Sequence, residues 1–248
     1  MHEIEGNVGI TRIKGVLFDK DGTLFDYHDT WGPILTEVAV ELAGGQGKLV
    51  PDMLASIGYR AETGRFEAGS IAAAGDTFEL ADQWLGLLGR ADRDELIQTL
   101  DGFFARLGPE RSIPVTDLRA FFQAMKGRGL TLGIATNDVA ASAEGTILRF
   151  GLSEYVDFSV GYDSGYGVKP GPGMALAFCE AVGIEPSGIA VVGDNRHDLE
   201  MGQGAGAGLL VGVLTGASAE ADLAPLAHHV IADITLLPAL LESLAVEA

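Results

Sequence analysis

The chain has 248 residues, of which 47% are hydrophobic and 21% charged, so it can bury a sizeable core and is not a disordered chain. Its formal net charge of -19 at pH 7, with no basic tract, argues against a nucleic-acid-binding protein. Residues 1–14 have no apolar signal-peptide centre, and the apolar runs are too short to cross a bilayer. These features predict a soluble cytoplasmic protein without nucleic-acid or membrane partners, and they leave monomer and homodimer open.

The first predicted element is a buried parallel strand over residues 15–18, Gly-Val-Leu-Phe. Asp19 and Asp21 follow this strand directly, and Gly22-Thr23 predicts the turn that ends it. Ligands of open α/β sheets lie at the carboxyl ends of the strands. The two aspartates are therefore candidate functional residues, with a solvated loop as the alternative.

A mainly helical stretch follows the first strand. Apolar spacing predicts a helix over residues 34–42, and Asp92 with Glu95 three residues later predicts the start of another. Residues 58–75 contain several glycines and little periodicity, which predicts a loop. The large aromatic residues of this stretch are interpreted as its core: Trp31, Trp84, Phe103 and Phe104.

From Val115 onward, helices alternate with short apolar strands. Helices are predicted over residues 118–126, 141–150, 174–182 and 234–244, and strands over 130–135, 156–160, 189–194, 209–214 and 229–231. This alternation predicts an α/β fold with a mainly parallel sheet and right-handed crossovers. The first strand belongs to the same sheet. The helical stretch is therefore an inserted domain, residues 26–111, and the core comprises residues 1–25 and 112–248.

Four polar clusters lie at the ends of predicted strands or in the loops after them: Asp19/Asp21, Thr136/Asn137, Lys169 and Asp194/Asp198. In a parallel sheet the carboxyl ends of the strands share one edge, so these clusters can converge on one site. Carboxylates with one lysine and small hydroxyl and amide groups suit Mg²⁺ together with a phosphoryl group.

Each residue of this constellation can be given a chemical role. Asp19 is the candidate nucleophile toward phosphorus, and Asp21 would protonate the leaving alcohol and then activate water. Asp194, with Asp198 in support, would hold the metal ion. Lys169 and Thr136 would bind the equatorial phosphoryl oxygens.

In these motifs the sequence resembles the haloacid dehalogenase superfamily, specifically its phosphatases with a helical cap. The DxDGT pattern is Asp19-Lys20-Asp21-Gly22-Thr23, the second motif is Thr136-Asn137, the third is the lysine of Val168-Lys169-Pro170, and GDxxxD is residues 193–198. The resemblance covers nearly the whole chain. It implies a Rossmann-like, doubly wound core, an all-helical cap and a Mg²⁺-dependent aspartyl-phosphate mechanism. It also implies a metal site formed by Asp19, the backbone carbonyl of Asp21, Asp194 and Asp198.

The phosphoglycolate phosphatase-like branch is the most similar, through the FDxDGTL form and the segment 198–216. One residue departs from this pattern. Lys20 stands between the two aspartates, where the family usually has an apolar residue.

Several features also have simple structural interpretations. Thr136-Asn137 and Asp198 suit helix caps, and Cys179 suits a small core residue. Residues 202–207 fit the relaxed dinucleotide pattern GxGxxA but do not follow a strand, so a helix end packed on the sheet is favoured. His228-His229 lacks further ligands at metal spacing and is interpreted as a strand-edge pair.

Substrate choice is expected to lie with the inserted domain. Tyr27, His28 and Thr30 are close enough in sequence to line an entrance, and Arg60 and Arg65 could reach a second anionic group. The predicted substrate-binding residues are Thr136, Asn137, Lys169, Arg65 and His28.

The sequence therefore predicts a phosphomonoester hydrolase acting on a small, phosphoglycolate-like phosphorylated metabolite. A phosphomutase of the same fold and a catalytically silent binding protein are the alternatives. A dehalogenase needs no second aspartate, which disfavours it because Asp21 is present. A phosphonate-cleaving enzyme would need a lysine in the insertion, where Lys48 is the only one.

Overall fold

Most strands of the protein join in one parallel sheet. The structure, a computed structural model, describes residues 13–246. The strands in that range are β1 (Gly15–Phe18), β2 (Tyr59–Arg60), β3 (Arg65–Phe66), β4 (Thr131–Ala135), β5 (Phe158–Val160), β6 (Ile189–Gly193), β7 (Leu209–Val213) and β8 (His229–Ile231). The sheet has the order β5-β4-β1-β6-β7-β8, and all neighbouring strands in it are parallel. The predicted doubly wound α/β core is confirmed. Residues 1–12 of its predicted first segment, and residues 247–248, lie outside the described range.

The helices alternate with these strands in the core and dominate the insertion. They are α1 (Tyr27–Leu42), α2 (Val50–Ser56), α3 (Ile71–Ala74), α4 (Thr77–Leu87), α5 (Arg93–Arg111), α6 (Leu118–Gly127), α7 (Ala140–Arg149), α8 (Gly173–Val182), α9 (Arg196–Ala205), α10 (Glu220–Leu223) and α11 (Leu237–Val246). No helix within residues 13–246 combines the length and the apolar character that a membrane crossing requires.

Aspartates determine where several of these helices begin. Asp26, Asp76, Asp92 and Asp117 precede α1, α4, α5 and α6, and each accepts a hydrogen bond from the backbone N–H three residues later. Such a cap satisfies one of the free N–H groups of the first turn and stabilises a helix by about 1 kcal/mol. The helix start predicted at Asp92 is confirmed.

The sheet is buried on both faces, which explains its continuous apolar strands. Every residue of β1, β6 and β7 is buried. Leu17 faces a hydrophobic cluster that continues into the insertion, whereas Val16 and Phe18 face a second cluster that includes residues of α6. Because side chains alternate along a strand, β1 connects both halves of the core.

The segment between β1 and the end of α5 is mainly helical, and it corresponds to the predicted insertion. Trp84 is fully buried in it, and its indole N–H donates to the Met53 carbonyl oxygen at 2.9 Å. Residues 58–75 are not the loop that we predicted. Within them β2 and β3 form a short antiparallel hairpin, and α3 follows. Two-residue strands carry too little alternation to be recognised from sequence.

Three simple interpretations of the sequence are confirmed. Cys179 is a buried core residue. A methyl group added at Gly202 would lie 2.5 Å from the Leu210 side chain, so this end of α9 is packed tightly on the sheet. His229 begins β8 and His228 directly precedes it, and the His228 ring accepts a hydrogen bond from the Leu210 N–H at 2.9 Å.

Candidate active site

Charged and polar side chains from separate segments meet at one edge of the sheet. Asp19 follows β1, Thr136 follows β4 and Asp194 follows β6, and these three strands are neighbours. Lys169 precedes α8, and Asp198 lies in the first turn of α9. Parallel strands place their carboxyl ends at the same edge. The four clusters identified in the sequence therefore line one cavity.

Lys169 links two of the buried carboxylates. Its Nζ donates to Asp19 Oδ1 and to Asp198 Oδ1, each at 2.6 Å. Burial raises the pKa of Asp19 to about 7, with Lys169 acting in the opposite direction. Burial also raises the pKa of Asp194 well above its ordinary value, and the charges of Asp19 and Asp198 add to the rise. Three buried carboxylates beside one lysine leave an excess of negative charge, which favours a bound cation.

The oxygen atoms of this cluster fit a Mg²⁺ ion. Asp19, Asp194 and Asp198 each offer a carboxylate oxygen, all within 4.8 Å of one another. Asp19 Oδ2 is buried and has no hydrogen-bond partner among the described residues. Both oxygens of Asp198 are already engaged, Oδ1 by Lys169 and Oδ2 by the Asn195 N–H at 3.0 Å. Asp19 and Asp194 are thus the freer candidate ligands, whereas Asp198 accepts from Lys169 and completes the capping box of α9, whose N-cap is Asn195.

Two glycines pack against the carboxylate of Asp194. A methyl group at Gly216 would lie 1.7 Å from Asp194 Oδ2, and one at Gly22 would lie 2.5 Å from its Cγ. Gly22 also has a φ of +95°, which side chains other than glycine rarely adopt. The Thr215 hydroxyl donates to the Gly22 carbonyl oxygen at 2.6 Å and joins the two segments. The position of Asp194 therefore depends on the absence of side chains at both sites.

We expect Gly216→Ala to weaken Mg²⁺ binding by about 10- to 100-fold, because the new methyl group must displace the Asp194 carboxylate, a candidate Mg²⁺ ligand. The measurement is the rise in Tm as Mg²⁺ is added. Gly102→Ala is the matched control, since a methyl group at Gly102 in α5 has no atom within 4 Å. An identical Mg²⁺ dependence in the two variants would contradict the expectation.

Lys20, the departure from the family pattern, is buried beside the second aspartate. Its Nζ lies 2.7 Å from Asp21 Oδ2 and 2.9 Å from Asp138 Oδ2. Burial raises the pKa of Asp21; the charge of Lys20 lowers it, and that of Asp138 raises it. Asp138 was not among the predicted site residues. The sequence signal for such a residue was Lys20 itself, because a buried lysine needs an acidic partner.

Thr136 and Asn137 have different functions in the structure. The Thr136 hydroxyl accepts the Asp138 N–H at 3.0 Å, and Thr136 lines the cavity. The Asn137 carboxamide donates to the Lys169 carbonyl oxygen at 3.2 Å and accepts the Lys169 N–H at 2.9 Å. Asn137 therefore holds the backbone of Lys169 and also lines the cavity, so its role in substrate binding stays a prediction.

Two predicted substrate-binding residues do not line the cavity. Arg65 is exposed on β3. His28 is buried, and its Nδ1 accepts the Phe66 N–H at 3.1 Å. The hairpin that carries Arg65 packs against α1 through this contact. The structure places both residues outside this cavity, and their role in substrate binding stays a prediction.

The insertion forms the opposite wall of the cavity, which has a volume of about 110 Å³. Most of this wall is apolar or small: Tyr27, Trp31, Leu35, residues 71–75, Leu80 and Phe104. Trp31 and Phe104, which we interpreted as core only, therefore also face the candidate site. Apolar periodicity in the sequence predicts that a side chain is buried. It does not distinguish a side chain of the core from one that lines a cavity.

Backbone carbonyls at the end of α3 join the insertion to the core. Asn195 donates from Nδ2 to the Ala73 carbonyl oxygen at 3.1 Å, and His197 Nδ1 lies 2.9 Å from the Ala74 carbonyl oxygen. Within the insertion, the Tyr27 hydroxyl donates to the Ala72 carbonyl oxygen. The sequence does not indicate these contacts, because every residue has a backbone carbonyl whatever its side chain.

The chain is similar to known proteins over most of its length. A family model described as haloacid dehalogenase-like hydrolase matches residues 13–206. The chain is 27% identical over 195 residues to N-acetylmuramic acid 6-phosphate phosphatase of Pseudomonas aeruginosa, covering 79% of each chain. It is 26% identical over 194 residues to phosphoglycolate phosphatase of Aquifex aeolicus, covering 78% of this chain and 82% of that protein. A solved structure of a predicted phosphoglycolate phosphatase from Haemophilus somnus has a TM-score of 0.68 at 18% identity, over 94% of this chain and 99% of that chain, which shows a shared fold.

Proposed function

The chain belongs to the haloacid dehalogenase-like hydrolase family, and on that premise we propose that it is a Mg²⁺-dependent phosphatase of small metabolites that works through an aspartyl-phosphate. The observation that carries the proposal is the arrangement of Asp19, Asp21 and Lys169 around one cavity. Each aspartate in it has one carboxylate oxygen held by a lysine and one buried oxygen without a hydrogen-bond partner among the described residues.

In the proposed reaction Asp19 attacks phosphorus, and Asp21 gives a proton to the leaving oxygen. Water then attacks the phosphoryl group, Asp21 accepts a proton from that water, and Asp19 is released. Lys169 and Thr136 stabilise the equatorial oxygens during both transfers. Mg²⁺, held by Asp19, Asp194 and the neighbouring oxygens, would neutralise the negative charges that meet in the site.

Residues 26–111 are proposed to act as a cap that closes the cavity over the substrate. Support comes from the apolar wall that this segment contributes and from its contacts with Asn195 and His197. Closing a site over the substrate excludes water from the first transfer. The proposed domain boundaries are the ones predicted from the sequence, with the cap in residues 26–111 and the core in residues 1–25 and 112–248.

The substrate is proposed to be a compact phosphomonoester. The cavity of about 110 Å³ limits the leaving group, and the names of the two relatives refer to different phosphate esters. A phosphoglycolate-like compound is the substrate that the sequence predicts. N-acetylmuramic acid 6-phosphate, taken from the name of a relative, is a larger candidate substrate. A cytoplasmic location stays a prediction of the sequence.

The test is phosphate release from a panel of small phosphomonoesters that includes phosphoglycolate and sugar phosphates. We expect release with Mg²⁺, none after EDTA treatment, and recovery when Mg²⁺ is restored, because the acidic cluster repels an anionic substrate in the absence of the cation. Turnover without a sugar-bisphosphate primer separates a phosphatase from a phosphomutase. A folded protein that releases no phosphate from any member would count against the proposal.

A further inference from the structure

Lys20 is a charged residue of the first motif to which the proposed reaction assigns no role. Its side chain is 1% exposed, which is uncommon for a lysine unless it is paired. Two carboxylates surround its ammonium group, those of Asp21 and Asp138, and the Trp31 ring centre lies 5.6 Å from it. Lys20 does not line the cavity, whereas all three of these neighbours do. Lys20 can therefore affect the site only through its contacts with residues that line the cavity.

Asp138 gives Lys20 a fixed anchor. Asp138 Oδ1 accepts the Val139 N–H at 2.7 Å, and the Asp138 N–H donates to the Thr136 hydroxyl at 3.0 Å. These bonds tie the carboxylate to the loop that follows β4. The remaining oxygen, Oδ2, accepts the hydrogen bond from Lys20. The Lys20 ammonium group is thus held by a carboxylate in the loop after β4, the strand that neighbours β1.

The two oxygens of Asp21 are consequently not equivalent. Oδ2 contacts Lys20, while Oδ1 is buried and has no hydrogen-bond partner among the described residues. Asp19 shows the same division, since Lys169 holds its Oδ1 and its Oδ2 has no such partner. Each aspartate of the motif is therefore oriented by its own lysine, and one oxygen of each is left for chemistry.

We propose that Lys20, anchored by Asp138, is a positioning residue that orients the Asp21 carboxylate so that Oδ1 exchanges the proton of the reaction. This inference rests on the proposed function. In the first transfer, a bond forms between Asp19 and phosphorus, the bond from phosphorus to the ester oxygen breaks, and Asp21 Oδ1 gives its proton to that oxygen. In the second, water oxygen bonds to phosphorus, the bond to Asp19 breaks, and Asp21 Oδ1 takes one proton from the water.

The leaving group provides the test, because an alkoxide needs a proton as it departs and a nitrophenolate scarcely does. For Lys20→Met we expect kcat/KM to fall about 100-fold with an alkyl phosphate from the panel and by no more than about 3-fold with p-nitrophenyl phosphate. Inhibition by inorganic phosphate should be unchanged, since Lys20 does not line the cavity. Lys126→Met, which removes an ion pair with Asp157 on the surface, is the matched control and should leave both esters unaffected.

Lys20→Met leaves the Asp138 carboxylate without its positive partner. The double variant Lys20→Met/Asp138→Asn removes one charge of each sign and is therefore measured as well. It provides the test if the single variant does not fold. The same dependence on leaving group is expected there. An equal loss with both esters in a folded variant, or no loss with either, would overturn the inference. Failure of the proposed function is a separate result, in which the wild-type protein hydrolyses neither ester.

Discussion

Asp19→Asn is expected to lower phosphate release by about 10⁴-fold or more while the protein remains folded. The asparagine side chain has nearly the shape of the aspartate but cannot form an acyl phosphate with its neutral amide. The substitution also removes one of three carboxylates that lie with a single lysine in the buried cluster. Less repulsion remains among them, so the Tm in EDTA should be equal to that of the wild type or higher.

Two measurements check this prediction. Phosphate release with Mg²⁺ gives the loss of activity, and intact mass after rapid acid quenching shows whether one phosphoryl group is added to the wild-type protein and none to the variant. Asp52→Asn, at an exposed position in α2, is the control for loss of a carboxylate elsewhere. Wild-type levels of release by the folded Asp19→Asn variant would show that another residue is the nucleophile.

Lys169→Met is expected to reduce both activity and stability. Lys169 is 4% exposed and is the cation between Asp19 and Asp198, so its removal leaves buried charges without compensation. Breaking a buried pair in this way typically lowers the free energy of unfolding by about 3–5 kcal/mol. The loss of a group that stabilises the phosphoryl oxygens should reduce kcat by about 10²- to 10³-fold.

Urea denaturation of Lys169→Met and Lys126→Met, each in EDTA and in Mg²⁺, measures the stability effect. Lys126 forms its ion pair with Asp157 at side-chain exposures of 30% and 35%, and its loss should cost about 1 kcal/mol or less. Mg²⁺ should restore part of the stability of Lys169→Met, because it supplies positive charge to the same carboxylates. Equal losses in the two variants would mean that the buried cluster does not depend on Lys169.

The order of the elements and most of the candidate site are accessible from local sequence. Apolar runs ending in carboxylates identified β1 and β6, and alternation with helices predicted the parallel sheet. That topology, with no further information, places Asp19, Thr136 and Asp194 at one edge, because the carboxyl ends of parallel strands coincide. These predictions depend on periodicity and on chain order, which a single sequence contains.

Side-chain partners across the fold required the tertiary structure. Lys20 and Asp138 are 118 positions apart, and Lys169 and Asp19 are 150 apart, so no local pattern connects them. The structure showed that Asn137 binds a backbone, that Gly216 makes room for Asp194, and that Arg65 lies outside the cavity.

The sequence by itself determined the residue types, most helices and strands of the core, and the edge of the sheet at which the candidate site residues lie. Only the tertiary structure decided which oxygen of each aspartate is held by a lysine and which has no hydrogen-bond partner within residues 13–246. It also decided which of residues 26–111 line the cavity. The physical reason is that hydrogen bonds and close packing depend on distances of a few ångströms between segments remote in the chain. Periodicity constrains the face on which a side chain lies and does not contain those distances.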